Sequence, residues 1–157
     1  MQEIAIAGFG TLRLEHLVLD FNGTMACDGQ LVAGVEERLT MIANFLEIHV
    51  VTADTFGVVE TALERLPCTV EVLSGADQDL AKARYVESLG SEATASIGNG
   101  RNDRLMLKEA ALGIVVLSEE GTASEALLAA DIVCPTIASA LDLFLKPLRL
   151  RAVLRTA

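Results

Sequence analysis

The 157-residue sequence is poor in cysteine and in basic side chains, and each shortage argues against a class of protein. Cys27, Cys68 and Cys134 are odd in number and widely spaced, which predicts reduced thiols in a cytosolic compartment and no cysteine zinc site. Twelve lysines and arginines stand against 22 acids, a formal net charge of −10. This surplus argues against nucleic acid or an anionic membrane as the main partner, and leaves a phosphorylated or cationic small molecule open.

The sequence also lacks an uninterrupted run of about 18 apolar residues, and its first ten residues carry no basic flank of a signal peptide. We therefore expect a soluble protein of the cytoplasm with no membrane contact. An apolar fraction of 52% excludes disorder, and a chain of this length buries enough apolar surface to fold without disulfides. We predict a single domain over residues 1–157.

Short β-branched or apolar runs alternate with stretches of helical period, which predicts a mainly parallel sheet with helices on both faces, a three-layer α/β/α fold. Strands are predicted at 4–7, 17–20, 48–52, 69–73, 93–97, 113–116 and 132–134. Helices are predicted from Val35, from Thr55, at 77–89 with Gly90 as C-cap, and at 103–110. Residues 4–7 and 12–17 are predicted to form a hairpin that leads into the first parallel strand.

Polar residues end several predicted strands, and in open parallel sheets such ends gather at one edge. The first parallel strand ends at Asp20, the second ends at Thr52, and a later one leads into a loop that closes at Asp103. Lys82, one turn into the third predicted helix, is the only lysine before residue 100 and is placed to reach the same edge.

These residue types suit phosphoryl transfer. Asp20 supplies a nucleophilic oxygen, Thr52 bonds to a phosphoryl oxygen and Lys82 offsets negative charge. Gly23 permits the sharp turn that points backbone amides at a phosphate. Oxygen donors around Asp20 and Asp103 favour an octahedral magnesium site.

Four motifs in order resemble the haloacid dehalogenase superfamily and, within it, most closely the phosphorylation domain of P-type ATPases. They lie at residues 19–24 (LDFNGT), at 52–54 (TAD), from Lys82 onward, and at 97–103 (IGNGRND), followed by 111–115 and 125–133. The resemblance covers about residues 15–150. Each motif alone is weak, but four in order on alternating strands and helices are specific.

The resemblance implies a Rossmann-like fold and a set of site residues. Asp20 would be the nucleophile that becomes an aspartyl phosphate, with Asn22, Thr52 and Lys82 completing the catalytic group. The implied phosphate-binding residues are Phe21, Asn22, Thr52, Ala53 and Lys82, and the implied Mg²⁺ ligands are Asp20, the Asn22 main-chain carbonyl, Asn99 and Asp103.

Two departures from the family pattern bear on activity. Asn22 stands where family phosphatases have an aspartate that acts as general acid and then base, a role worth about 10² to 10⁴ in rate. In the ATPases this position is a threonine and the aspartyl phosphate persists, so Asn22 predicts slow dephosphorylation. Asn99 replaces an acid of the fourth motif, which predicts weaker magnesium affinity unless Asp103 binds the ion directly.

No cap domain fits the sequence, because the predicted helices and strands already fill residues 25–47 and 53–81. The nucleotide-binding domain and membrane helices of an ion pump do not fit either. An uncapped site is open to a bulky or protein-borne phosphate, or is closed by another subunit of a homo-oligomer. The stretch that holds Lys146, Arg149, Arg151 and Arg155 is a solvated helix or a subunit contact.

The sequence therefore predicts a magnesium-dependent phosphohydrolase-like protein that acts slowly, through an aspartyl phosphate, on a phosphorylated small molecule or phosphoprotein. The alternative is a phosphate-binding or phosphorylatable regulatory module with little or no turnover. Asp54 is interpreted as a helix start rather than a catalyst, His16 and His49 as structural, and Cys27 as without a role.

Overall fold

The computed structural model describes residues 1–53 and 57–157. Its strands are β1 (Gln2–Ile6), β2 (Gly10–Leu14), β3 (His16–Asp20), β4 (Ala26–Cys27), β5 (Gln30–Leu31), β6 (Glu47–Thr52), β7 (Thr69–Val72), β8 (Thr94–Gly98), β9 (Leu112–Val116) and β10 (Ile132–Cys134). Its helices are α1 (Val35–Ile42), α2 (Val58–Leu63), α3 (Gln78–Leu89), α4 (Arg104–Glu109), α5 (Ser124–Ala129), α6 (Ile137–Leu145) and α7 (Pro147–Leu154).

Six strands form the central sheet in the order β10-β9-β8-β3-β6-β7, and every neighbouring pair is parallel. The chain runs outward from β3 through β6 to β7 and then returns to β8 on the other side of β3. The strand order therefore reverses between β3 and β8, which is where open α/β sheets leave a crevice at their carboxyl edge.

Both faces of the sheet are covered, because successive residues of a strand point to opposite sides. Leu17 and Leu19 of β3 belong to the main apolar core with α1, α2 and α6. Val18 packs with Val86 of α3 and Met106 of α4 on the opposite face. The predicted parallel sheet between two helical layers is confirmed.

An N-terminal hairpin is present as predicted, since β1 and β2 pair antiparallel with Ile6 opposite Gly10. Its strands begin two residues earlier than predicted, and residues 16 and 17 belong to β3 rather than to the hairpin. The sheet strands match the predicted ones to within one residue at either end, and α3 ends at Leu89 with Gly90 as its C-cap. The predicted helix from Thr55 is described from Val58 onward, while Asp54, Thr55 and Phe56 lie outside the described residues.

Residues 25–47 hold β4, β5, α1, their loops and the first residue of β6, and residues 57–81 hold α2, β7 and the start of α3. Neither range contains an inserted domain. Among residues 1–53 and 57–157, no helix has the length and apolar content that crossing a bilayer requires.

Candidate active site

Asp20 ends the central strand β3 and lies at the reversal of the strand order. The residue is 6% exposed, so its carboxylate lies inside the carboxyl edge of the sheet. Val18 and His16 share its face of β3, and α3 covers that face, which brings the first turns of α3 above the end of the strand. Lys82 of α3 therefore reaches Asp20 from the neighbouring helical layer.

Lys82 joins two carboxylates. Its Nζ donates to Asp20 Oδ1 at 2.6 Å and to Asp103 Oδ1 at 2.7 Å, and all three side chains are almost fully buried. The structure thus brings together three residues that are 62 and 21 positions apart in the sequence. They come from β3, α3 and the loop after β8, as the strand-end pattern predicts.

The trio carries one more negative charge than positive when all three groups are ionised. Burial, together with repulsion from Asp103, raises the pKa of Asp20 to about 7, although Lys82 and Thr24 act in the opposite direction. Burial also disfavours the Lys82 ammonium, but attraction to Asp20 and Asp103 outweighs it and raises the pKa of Lys82. Lys82 is therefore charged at neutral pH, while Asp20 exchanges a proton near neutrality.

Asp103 also closes the loop that follows β8. Its Oδ2 accepts backbone N–H bonds from Asn99 at 2.9 Å and from Gly100 at 2.8 Å. A Cβ on Gly98 would lie 2.6 Å from the Asp103 carboxyl group, so glycine is needed there for the loop to pack this closely. Asp103 thus fixes both the loop and the position of Lys82.

Thr24 links the first and fourth motifs. Its hydroxyl lies 3.1 Å from Asp20 Oδ2 and 3.1 Å from Asn99 Oδ1, and Asn99 Nδ2 donates to the Gly121 carbonyl at 2.9 Å. Thr24 was not among the site residues predicted from the sequence. Its place four residues after Asp20, at the end of the motif, was the available signal.

Gly23 is needed for this link, because a Cβ at its φ of +78° would lie 2.5 Å from Asn99 Nδ2. We expect Gly23→Ala to lower the free energy of unfolding by about 1–3 kcal/mol more than Gly29→Ala does. Gly29 has the same φ of +78° with nothing within 4 Å of its Cβ position, so it controls for backbone strain alone. Urea unfolding of both variants measures the difference, and equal losses would show that the contact with Asn99 carries no cost.

The other predicted site residues lie around the same edge. Thr52 ends β6 beside β3 and is buried, and Ala53 follows it half-buried. Phe21 is fully buried, and its carbonyl accepts the N–H groups of the three residues 24, 25 and 26. Asn22, two residues after Asp20, is exposed. The second-motif residue Asp54 lies outside the described residues.

The oxygen donors at this edge fit a hard divalent cation. Asp20 Oδ2 and Asn99 Oδ1 both flank the Thr24 hydroxyl, and the buried excess of negative charge is what such an ion would offset. Both Asp103 oxygens are already engaged, one by Lys82 and one by two backbone N–H groups.

A cavity of about 420 Å³ adjoins the site on the side of Thr24. The β4–β5 hairpin forms one wall through Cys27 and Leu31, and the loop after β9 forms another through Leu117 and Glu119. This loop was not predicted to lie near the site, because its residue types do not indicate that it folds back toward the first motif.

Sequence comparison finds similar proteins in Methanocaldococcus jannaschii. No protein-family model matches it. It is 44% identical over 82 residues to the uncharacterized protein MJ0073 of Methanocaldococcus jannaschii, an alignment that covers 50% of this chain and 88% of that protein.

Solved structures share the fold at low sequence identity. A Legionella pneumophila protein assigned to the haloacid dehalogenase superfamily hydrolases, subfamily III A, matches with a TM-score of 0.72 at 17% identity, over 90% of this chain and 87% of that one. The cobalt-bound deoxy-D-mannose-octulosonate 8-phosphate phosphatase of Haemophilus influenzae matches with a TM-score of 0.72 at 13% identity, over 92% and 94% of the two chains.

A third structure is the 3-deoxy-D-manno-octulosonate 8-phosphate phosphatase of Moraxella catarrhalis, in complex with a magnesium ion, a phosphate ion and the sugar acid. It matches with a TM-score of 0.67 at 17% identity, over 89% of this chain and 90% of that one. All three matches extend over nearly the whole length of both chains, as expected for a fold without an added cap.

Proposed function

From two premises, that the chain belongs to the same family as MJ0073 and that it has the fold of haloacid dehalogenase superfamily hydrolases, we propose that it is a phosphohydrolase with Asp20 as nucleophile. The observation that carries this proposal is the buried Lys82 ammonium shared by Asp20 and Asp103 at the carboxyl edge of the sheet. A structural ion pair needs one carboxylate, whereas two carboxylates beside a crevice are suited to a phosphoryl group and a cation.

In the proposed reaction, an Asp20 carboxylate oxygen attacks phosphorus and the bond to the leaving oxygen breaks, which gives an aspartyl phosphate. The leaving group keeps the electron pair and takes a proton from solvent. Water then attacks phosphorus, the bond to Asp20 breaks, and inorganic phosphate is released. Lys82 offsets negative charge in both steps, and Thr52, with the backbone that follows Asp20, holds the phosphoryl oxygens.

Magnesium would be held by Asp20, Asn99 and the Asn22 main-chain carbonyl, with Asp103 beside them, because these groups supply the oxygens that this ion prefers. Its chemistry there is to neutralise charge that develops on the phosphoryl oxygens. A cation would also favour the ionised form of Asp20, whose pKa is otherwise raised to about 7.

Asn22 is proposed to limit turnover, since its amide cannot exchange a proton with the leaving group or with water. We expect Asn22→Asp to speed phosphate release by about 10² to 10⁴. Stopped assays of released phosphate with an aryl phosphate measure this rate, and Asn22→Ala is the matched control that removes the amide without adding an acid. An unchanged or lower rate in Asn22→Asp would contradict the proposed role of this position.

A second function, a phosphorylatable regulatory module, is favoured by the same asparagine. With no general acid or base at residue 22, the aspartyl phosphate would persist and act as a switch. The sequence resembles P-type ATPase phosphorylation domains, in which the aspartyl phosphate is long-lived. This predicted resemblance agrees with the regulatory alternative.

The substrate is proposed to be a phosphorylated small molecule or a phosphoprotein. The cavity beside Thr24 supports this proposal, because Thr24 lines it and the Thr24 hydroxyl contacts the Asp20 carboxylate. With no cap over the described residues, a bulky phosphate can approach, and a second copy of the chain in a homo-oligomer is the proposed alternative cover.

One experiment separates the two functions. The protein is incubated with acetyl phosphate and magnesium, and intact mass and released phosphate are followed over time. A phosphoryl adduct that decays with repeated phosphate release supports the enzyme, and a stable adduct with little release supports the switch. Absence of both adduct and release would contradict both.

A further inference from the structure

The two histidines of the chain meet at the end of the sheet opposite to the candidate active site. His16 begins β3 and pairs with Glu47 at the start of β6, while His49 pairs with Val18 two residues further along. Alternate residues of a strand share a face, so His16, Glu47 and His49 all lie on the side of the sheet that α3 covers.

The spacing of their polar atoms is that of ligands around a metal ion. His16 Nδ1 lies 3.2 Å from His49 Nε2 and 3.5 Å from Glu47 Oε2, and one ligand atom from each residue lies within 4.8 Å of the others. Two ligands at about 2.0–2.1 Å from a tetrahedral zinc ion are about 3.3–3.4 Å apart. Both distances to His16 are close to this separation.

A second contact orients the inner imidazole. His49 Nδ1 lies 2.9 Å from the hydroxyl of Tyr85 in α3. An Nδ1–H that donates to this hydroxyl leaves the lone pair on Nε2, which is the atom that faces His16. Such a partner on the remote ring nitrogen is usual for metal-bound histidine.

From this geometry we propose that His16, Glu47 and His49 form a second metal site, which takes zinc or a similar first-row transition ion with water in the fourth position. Two imidazole nitrogens and one carboxylate oxygen are a donor set for such ions, whereas magnesium prefers oxygen alone. Glu47 is exposed and His16 is half-buried, so the ion enters from solvent.

The site is distinct from the one around Asp20. His16 and Asp20 are the two ends of β3, and four residues at about 3.3 Å each place them about 13 Å apart. An ion at the histidines would join β3, β6 and, through Tyr85, helix α3. The proposal is independent of the proposed phosphohydrolase function.

Zinc titration of the full chain in excess magnesium tests the proposal, with magnesium present to occupy oxygen sites. Because the chain has two histidines, its proton NMR spectrum has two sets of imidazole ring signals. We expect both sets to shift together and to stop shifting at one equivalent of zinc. Zinc is also expected to raise the melting temperature of the protein.

Variants identify the ligands. We expect His49→Gln to weaken zinc affinity by about 100-fold or more, and Tyr85→Phe to weaken it by about tenfold through loss of the orienting hydroxyl. Glu47→Gln, at an exposed position, weakens binding without touching the core and serves if His49→Gln fails to fold. Cys27→Ser is the control, because Cys27, Asp28 and Glu120 form the other cluster with metal-ligand spacing among the described residues.

Two kinds of result would overturn the proposed zinc site. Ring signals that do not move at a tenfold excess of zinc would show that the histidines make only a structural contact. Unchanged affinity in Glu47→Gln and His49→Gln, or a loss confined to Cys27→Ser, would place the ion elsewhere.

Discussion

Asp20→Asn is expected to abolish the phosphoryl adduct and to lower phosphate release by at least about 10⁴-fold, since an amide is not a nucleophile toward phosphorus. Intact mass after incubation with acetyl phosphate and magnesium measures the adduct, and a phosphate assay measures release. The matched control is Asp28→Asn, the same change at an exposed acid eight residues away, at a φ of +50° that asparagine also adopts.

The Asp20→Asn variant is also expected to be more stable than the parent protein at pH 8 and about as stable as the parent at pH 4. The pKa of Asp20 is raised from its ordinary value of 3.8 to about 7 in the folded protein, so the folded state holds a proton that the unfolded state loses in this window. Ionised Asp20 therefore costs stability progressively as pH rises from about 4 through about 7.

The expected gain for Asp20→Asn at pH 8 is about 2–4 kcal/mol in magnesium-free urea unfolding, which also shows that lost activity is not lost folding. A phosphoryl adduct that survives in the folded variant would place the nucleophile elsewhere. Equal stabilities at pH 8 would mean that burial and repulsion from Asp103 do not raise the pKa of Asp20.

The sheet and the charged core of the site could be predicted because both follow from local patterns. Apolar runs of strand length mark the strands, and Asp20 and Thr52 end two of them, so the parallel topology alone brings them to one edge. Lys82 was predictable for a different reason. It is the only lysine before residue 100, on a helix that follows the strands which carry the acid and the hydroxyl.

The parts that could not be predicted depend on contacts distant in sequence or on elements too short to show a period. β4 and β5 have two residues each, and six residues of α5 make fewer than two turns. Thr24 and Asn99 are in contact although they lie 75 residues apart in the sequence, and neither residue type predicts this contact. α6 has one local signal that went unused, Thr136, whose side chain accepts the Ser139 N–H as an N-cap.

The cluster around His16 and His49 could not be predicted from the two residues taken singly. Each histidine in its own strand is most simply a structural residue, as the sequence analysis had it. Only the parallel register, which sets His16 beside Glu47 and two residues from the level of His49, brings the two histidines into one cluster. That register depends on the packing of the whole sheet, so it becomes visible only with the fold.

Lys82→Met is expected to have the largest effect on stability, a loss of about 3–5 kcal/mol at pH 8, because it leaves two buried carboxylates without their shared cation. The raised pKa of Lys82 means that its stabilising contribution is present throughout the neutral range and is lost only above its ordinary value of 10.5. In the variant, Asp20, whose pKa is raised by burial and by Asp103, takes up a proton as pH falls, so the loss shrinks toward pH 5. Magnesium is expected to restore part of the stability at pH 8, since it supplies positive charge to the same oxygens.

Urea unfolding at both pH values, with and without magnesium, measures these differences against Lys108→Met, the same change at an exposed position of α4. A loss in Lys82→Met that is independent of both pH and magnesium would show that the lysine contributes packing rather than charge.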